Sequence, residues 1–259
     1  MASGKTFSEW LFEEYLDSQG ITTFDYEKDW DEIPTHPDYT VYHDGRILVF
    51  DVKEFDYREY QPGQLVCDNP CDRIREKINQ VRTQFKYFKD KPCCLVLYTH
   101  DPFVELHEDT TMLGSMYGDF GFTMLIDTEK GSAIPGSDTQ QFLTGGKMFR
   151  YESSKPQNQT ISALVTLRYV NVGSRRYQKL FREARETGEH ISPNNIDFDI
   201  DEKRVGVIVW ENAYAKIPFP RDLFSGYYDE RWGVDGDAIA RTFVGAGILA
   251  LEDSDKSES

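Results

Sequence analysis

The sequence has no long apolar run. Nowhere in its 259 residues do 18 apolar residues follow one another, and its N-terminus lacks the apolar segment of a secretion signal. Only four cysteines are present, and the spacing of Cys67, Cys71, Cys93 and Cys94 does not match the usual zinc-ligand patterns. We therefore expect a cytoplasmic protein with neither a membrane span nor a secretion signal, in which the cysteines are reduced and buried.

Positive charge is also scarce. The chain has 29 lysine and arginine residues against 45 aspartate and glutamate residues, a formal net charge of −16. This balance argues against a protein that binds polyanions nonspecifically over its whole surface. Two segments that contain predicted helices are basic instead. Residues 73–91 hold seven basic side chains against two acidic ones, and residues 174–188 hold five against two. Local basic surfaces of this kind can hold the phosphates of a nucleic acid.

Two sequence patterns are absent as well. The chain has no glycine-rich phosphate loop, which argues against a P-loop nucleotide-binding protein, and no internal repeat, which argues against a solenoid. What the sequence does contain is a strong hairpin signal at Asp44-Gly45. Residues 39–43 and 47–53 on either side are rich in β-branched and aromatic side chains. An Asp-Gly pair favours a two-residue turn in which both residues have positive φ, and this turn fixes the register of the two strands.

The predicted register brings three charged side chains together. Asp38 lies opposite Asp51, and Lys53 follows two residues later on the same face of the sheet. Opposed side chains on one face have Cβ atoms about 4.5–5.5 Å apart, so the two carboxylates repel each other unless a cation lies between them. Mg²⁺ is typically held by one or two carboxylates, and the lysine is placed to hold or deprotonate an attacking water.

The sequence Pro37-Asp38, a gap, and then Asp51-x-Lys53 resembles the motif of the PD-(D/E)xK nuclease superfamily, also called the restriction-endonuclease-like fold. The flanking segments strengthen this resemblance. The amphipathic helix predicted over residues 7–19 carries Glu9 at the position where many members have a metal-contacting glutamate, with Glu13 as the alternative.

After the hairpin, a helix is predicted from the N-cap Asn69 to residue 89, and a buried strand over residues 93–99. The helix carries Gln84, followed by an aromatic residue, where many members of the superfamily place a glutamine near the active site; Gln80 is a weaker alternative. The resemblance covers roughly residues 7–99. Some members also bind an iron–sulfur cluster through four cysteines, an alternative to buried thiols here.

The resemblance implies a fold, a cofactor and a set of roles. The fold is α/β, with a restriction-endonuclease-like mixed central β-sheet flanked by helices and a C-terminal α/β extension. The metal is Mg²⁺, with Mn²⁺ as a substitute, and the implied ligands are Glu9, Asp38, Asp51 and the carbonyl oxygen of Val52. Lys53 positions the attacking water, and Gln84 orients that lysine or the water. Asp38, Asp51, Lys53 and Gln84 are thus the implied catalytic set.

The implied substrate is a nucleic acid, with DNA expected, cut at its phosphodiester bonds by either endo or exo action. A homodimer would supply two active sites for cutting a duplex. We expect the nuclease core over residues 1–130, an α/β extension packed on the same core over residues 131–251, and a disordered acidic tail over residues 252–259. Further strands are expected at 121–127, 161–170 and 205–210, with helical structure within 103–116.

Two other interpretations of the sequence remain open. The chain could be a catalytically inactive module of the same fold that binds a nucleic acid or a protein partner through its basic helices. It could also be an unrelated α/β protein in which the charges match the motif by accident. The intact set of Asp38, Asp51 and Lys53 favours the enzyme, because a module without chemistry need not keep all three.

Overall fold

The structure is a computed structural model. It describes residues 4–31, 33–59, 69–136, 139–142, 145–150, 153–172, 187, 202–235 and 238–249. Within these residues there are three helices: α1 (Phe7–Ser18), α2 (Pro70–Phe85) and α3 (Asp109–Tyr117). The first eight strands are β1 (Phe24–Tyr26), β2 (Tyr39–His43), β3 (Arg46–Phe55), β4 (Cys93–Thr99), β5 (Phe120–Thr123), β6 (Ile126–Asp127), β7 (Ser132–Ala133) and β8 (Thr139–Phe142). The others are β9 (Phe149–Arg150), β10 (Lys155–Pro156), β11 (Ile161–Asn171), β12 (Lys203–Glu211), β13 (Glu230–Asp235) and β14 (Ala238–Val244).

Eight of the strands form one large mixed sheet in the order β1-β2-β3-β4-β11-β12-β13-β14. β2 is antiparallel to β1 and to β3, whereas β3 and β4 run parallel. The other six strands form three two-stranded ribbons, β5-β8, β6-β7 and β9-β10. The predicted fold class is confirmed at this level: the chain is a mixed α/β protein whose large central sheet is flanked by few helices.

The chain divides into two compact units that interleave along the sequence. One, here called the hairpin unit, comprises Thr23–Val165 and Trp210–Phe219. The other, here called the terminal unit, comprises Met1–Thr22, Thr166–Val209 and Pro220–Ser259. The domain boundary expected near residue 130 stays a prediction.

In the hairpin unit, local signals define the elements well. Asn69 caps α2, because its side chain accepts a hydrogen bond from the backbone N–H of Cys71 at 3.0 Å, and Pro70 occupies the first turn. The helix buries one apolar face formed by Ile74, Ile78, Val81 and Phe85. It ends at residue 85 rather than at the expected 89, because the backbone N–H of Phe88 bonds back to Phe85 in a tighter turn. Strand β4 spans the expected residues 93–99 and is buried over its first five.

In the terminal unit, α1 spans nearly the expected residues and buries Leu11, Phe12, Tyr15 and Leu16. The rings of Phe12 and Tyr15 pack edge to face on Phe224. The antiparallel strands β13 and β14 also lie here, and no pattern in the sequence predicted them.

Other predicted helices and strands differ from those in the structure or lie outside the described residues. The segment expected to be helical from residue 103 becomes helical only at Asp109, since residues 101–108 form turns around the carboxylate of Asp101. The strand expected over 121–127 is two short strands, β5 and β6. The basic helix expected at 174–188 and the tail at 252–259 fall almost wholly outside the described residues. Within the described part of the chain, none of the helices combines the length and apolar character needed to cross a membrane.

Candidate active site

The hairpin of β2 and β3 has the predicted turn and register. Asp44 and Gly45 both have positive φ, +48° and +73°. Tyr39 pairs with Phe50 and His43 with Arg46, so the pairing runs one residue short of Asp38 and Asp51. Because opposed residues of an antiparallel pair share a face, the two aspartates emerge on the same face of the sheet where β2 begins.

The three predicted side chains meet at that place. The carboxylate oxygen Oδ2 of Asp38 lies 3.5 Å from the Nζ atom of Lys53, and that ammonium makes a closer ion pair with Oδ1 of Asp51. The exposed fraction of the side chain is 2% for Asp51, 19% for Asp38 and 30% for Lys53. Asp51 is thus buried, whereas Asp38 and Lys53 are partly exposed to solvent. The prediction that the three side chains meet is confirmed. The roles of these residues stay predictions.

A backbone contact fixes Asp38 within the cluster. The N–H of Val52 donates a hydrogen bond to Oδ2 of Asp38 at 2.6 Å. The same oxygen therefore receives one backbone donor and one ammonium, which holds the carboxylate beside β3. That the Val52 carbonyl oxygen is a metal ligand stays a prediction.

Electrostatics keep Lys53 charged. Its partial burial lowers the pKa of the amine, but the attraction of Asp51 and Asp38, together with hydrogen bonds to both carboxylates, outweighs burial and raises that pKa above its ordinary value. At neutral pH the cluster consequently consists of one ammonium and two carboxyl groups. Two carboxyl groups that meet beside this ammonium can offer oxygen ligands to a further cation.

Gln84 contacts the strand that leads into the cluster. Its side-chain Nε2 atom donates to the backbone carbonyl oxygen of His36 at 2.8 Å. His36 is followed by the buried Pro37 and then by Asp38, so the bond ties α2 to the backbone that delivers the first carboxylate. The expected action of Gln84 on Lys53 or on a water stays a prediction.

Glu9 has a local role that the sequence analysis did not assign to it. Its Oε2 atom accepts hydrogen bonds from the N–H of Thr6 at 2.6 Å and from the hydroxyl of Thr6 at 3.0 Å, and the pair forms a capping box at the start of α1. The alternative, Glu13, makes an ion pair with Lys5. Both glutamates belong to the terminal unit, and metal binding by either one stays a prediction.

Thr40 is a residue of this face that the sequence analysis missed. Its side chain is fully buried, and among the described residues its hydroxyl oxygen has no hydrogen-bond partner. It follows Asp38 by two residues on the same strand, which places it on the same face about 7 Å along. Strand alternation alone could have found it. A buried hydroxyl that the chain leaves unsatisfied is a common mark of a place that takes up water or an ion.

The basic helix α2 is less free to bind phosphate than its composition suggests. Arg75 is buried and donates to Asp119, Asp72 and the carbonyl oxygen of Gly114. Arg73 pairs with the fully buried Asp101 at 2.6 Å and lies over the ring of Phe55. These two arginines hold the fold together. The spacing of Asp72 and Arg75, three residues apart on a helix, was the available signal for one of these pairs.

The chain was compared with protein-family models, with curated protein sequences and with solved structures, and no significant match was found in any of the three comparisons.

Proposed function

We propose that this protein is a metal-dependent nuclease that hydrolyses the phosphodiester bonds of DNA. The observation that supports it most strongly is the meeting of Asp38, Asp51 and Lys53 at one point of the sheet. Two carboxylates and an amine in this arrangement match the donor set and the charged side chain that phosphodiester hydrolysis needs.

The donor set fits a hard divalent cation. Carboxylate oxygens are the ligands that Mg²⁺ prefers, and Asp38 and Asp51 would hold it, with the Val52 carbonyl oxygen as a further candidate. When bound, such an ion supplies Lewis-acid polarisation of a phosphate oxygen and makes water a stronger nucleophile. The buried hydroxyl of Thr40 on the same face is consistent with a hydrated site.

Lys53 acts as a cation in this proposal. Since its pKa is raised, it keeps its proton at neutral pH and is a poor general base. The side chain of Lys53 is partly exposed, so its ammonium can donate hydrogen bonds to a water or to a phosphate oxygen. It thereby positions the nucleophile and offsets the negative charge that develops on the phosphate in the transition state.

Gln84 is a positioning residue. By holding the carbonyl oxygen of His36 it fixes the backbone before Asp38, and so the direction of that carboxylate. Arg82, an exposed cation of α2, lies on the helix that carries Gln84 and can contact a phosphate beside the scissile bond.

The test compares wild type with Lys53→Met and with the control Lys89→Met, which removes the same charge from an exposed lysine after α2. Plasmid and oligonucleotide DNA are incubated with Mg²⁺, Mn²⁺ or EDTA. We expect cleavage by wild type and by the control in either metal, none in EDTA, and a loss of at least about a hundredfold for Lys53→Met. DNA binding without cleavage by wild type would instead favour the inactive binding module, and neither binding nor cleavage would favour an unrelated protein.

A further inference from the structure

A cleft of about 260 Å³ on the hairpin unit is lined by an unusual set of side chains. Arg82 comes from α2, Lys147 from the segment before β9, and Arg150 from β9 itself. The polar side chains of Asn79, Gln157 and Asn158 complete the polar lining, and none of the described residues that line the cleft is acidic. Three cations at one cleft stand out in a chain whose net charge is −16.

The wall that carries Lys147 is held rigidly. The backbone N–H of Lys147 bonds to the carbonyl oxygen of Ser115 at 3.2 Å, and its own carbonyl oxygen accepts from the side chain of Asn158 at 2.7 Å. Gly146 passes so close to α3 that a Cβ atom there would lie 2.2 Å from the carbonyl carbon of Tyr117. Only glycine fits this close approach. The backbone therefore fixes the position of the next residue, Lys147.

The part of the cleft that carries Arg150 is held in place by strand pairing. β9 and β10 form a two-stranded ribbon in which Arg150 lies opposite Lys155, and the backbone N–H of Gln157 bonds to the buried Met148 at 2.8 Å. The guanidinium of Arg150 lies 3.5 Å from the side-chain oxygen of Gln157, a long contact that leaves its other donors available to a ligand. The cleft is therefore lined by residues with side-chain donors, and strand pairing and close packing hold the backbone of its Lys147 and Arg150 side in place.

The geometry points to this cleft as a binding site for a phosphomonoester at the end of a nucleic-acid strand. A terminal phosphate carries a charge of about −1.5 to −2 at pH 7 and has three strong acceptor oxygens, whereas an internal phosphodiester carries a single charge. Three cations, with no acid among the described lining residues, match the terminal group better. Arginine also presents a planar fork of donors that suits phosphate oxygens.

An aromatic side chain extends the site beyond the phosphate. Phe149 lines the cleft and stacks on Tyr214 with ring centroids 5.0 Å apart and an angle of 23° between the planes. An aromatic ring in this position can pack against the sugar and base that follow the phosphate. The nucleic-acid part of this inference rests on the proposed function, but capture of the phosphate group does not depend on catalysis.

The test measures binding in EDTA, so that cleavage plays no part. Single-stranded oligonucleotides of one sequence carry a 5′-phosphate, a 3′-phosphate or hydroxyls at both ends, and inorganic phosphate is used as a competitor. We expect wild type to bind one of the phosphorylated strands at least about tenfold more tightly than the hydroxyl strand, since each charge-assisted hydrogen bond contributes enough for roughly a decade in affinity. The preference should weaken below about pH 6, where the monoester loses its second charge.

The variant Arg82→Gln/Lys147→Gln/Arg150→Gln should lose this preference, and Arg82→Gln alone should reduce it severalfold in case the triple variant folds poorly. The control Lys86→Gln/Lys89→Gln/Lys130→Gln removes the same charge from exposed lysines outside the cleft and should keep the preference. Equal binding of all three strands by wild type would overturn the inference. So would a triple variant that loses affinity equally for all strands, which is the result expected of an internal phosphodiester contact. Failure of cleavage in Mg²⁺ would leave this result untouched and would count only against the proposed nuclease.

Discussion

Two of the buried charge clusters in the described residues, one in each unit, differ in their composition. In the terminal unit, Glu230 lies between Arg168 at 2.5 Å and Arg241 at 3.0 Å, so one acid has two cations. In the hairpin unit, the described ion pairs bring two acids, Asp38 and Asp51, to one cation, Lys53. Among these ion pairs, the first cluster therefore has more cations than acids and the second has more acids than cations.

Neighbouring contacts sharpen this difference. The carboxylate of Asp229, beside Glu230 in the chain, accepts hydrogen bonds from the hydroxyl of Tyr15 at 2.7 Å and from the backbone N–H groups of Val207 and Gly226. Its oxygens are thus fully used inside the protein. Burial still raises the pKa of Asp229 against these bonds, which shows how costly a deeply buried acid is. A buried acid that serves stability is surrounded by donors, whereas two acids that meet beside one ammonium form an arrangement that can also hold a cation.

The largest effect that would test this contrast is expected from Asp51→Asn. Removing one carboxylate should lower the rate of Mg²⁺-dependent DNA cleavage about a thousandfold, because several kcal/mol of transition-state stabilisation correspond to about three decades in rate. The free energy of unfolding should change little, since the loss of the Asp51–Lys53 ion pair is offset by relief of the repulsion between two facing acids, and Lys53 keeps Asp38 as a partner. Cleavage kinetics and urea denaturation measure the two effects.

The matched control is Asp90→Asn, which removes a charge from an exposed carboxylate of the same unit that pairs only with Lys91 among the contacts described. It should cleave at the wild-type rate. Wild-type cleavage by Asp51→Asn, or a large loss of stability in that variant, would make the hairpin cluster structural like the one in the terminal unit.

The second effect is expected from Glu230→Gln in the terminal unit. Two arginines would lose their shared acid, and Arg168 would remain largely buried as an uncompensated cation. We expect the free energy of unfolding to fall by about 3 kcal/mol, as is typical when one partner of a buried ion pair is removed. Denaturant unfolding gives this value, and any remaining folded protein should keep its cleavage rate per molecule.

Glu202→Gln provides the control for that variant. Glu202 pairs with Arg204, whose side chain is about half exposed, so its loss should cost less than about 1 kcal/mol. An equal cost for both substitutions would show that the terminal-unit cluster is no more important for stability than a surface ion pair.

The sequence predicted the parts of this contrast that depend on neighbours in the chain. The Asp44-Gly45 turn determines the hairpin register, and with it the meeting of Asp38 and Asp51, because a two-residue turn leaves the strands a single pairing. The cap at Asn69 and the buried strand β4 followed from equally local patterns.

The sequence could not predict the parts that depend on distant residues. Glu230 has its partners 62 and 11 residues away, and the cleft lined by Arg82, Lys147 and Arg150 joins α2 to residues 145–150 and 157–158. β13 was missed because its polar and aromatic residues do not alternate as a half-buried strand does. The capping role of Glu9 was visible as Thr6-x-x-Glu9, a capping-box signature, but the superfamily pattern drew attention to metal binding instead.

A smaller effect is expected from Gln84→Ala, which removes the hydrogen bond to His36. The loss of one such bond costs about 1 kcal/mol, and because it positions the backbone before Asp38, we expect kcat to fall about fivefold with little change in KM. Gln80→Ala, an exposed glutamine one turn earlier on the same helix, is the control and should behave as wild type. If Gln80→Ala gave the larger loss, the weaker sequence alternative would be the functional one.

The smallest effect is expected from the titration of Lys53 at alkaline pH. The folded-state pKa of this lysine is raised by Asp51 and Asp38, so its ion pairs stabilise the fold fully below the ordinary lysine pKa of about 10.4. That stabilisation is lost as the pH rises through the raised folded-state value. Because nearly a third of the side chain is exposed, solvent screening keeps the contribution small. Urea midpoints measured from pH 9 to pH 11.5 should therefore fall more steeply for wild type than for Lys53→Met. Parallel curves for the two proteins would mean that the Lys53 ammonium contributes little to the free energy of unfolding. Asp38 and Asp51 could then lie side by side without it.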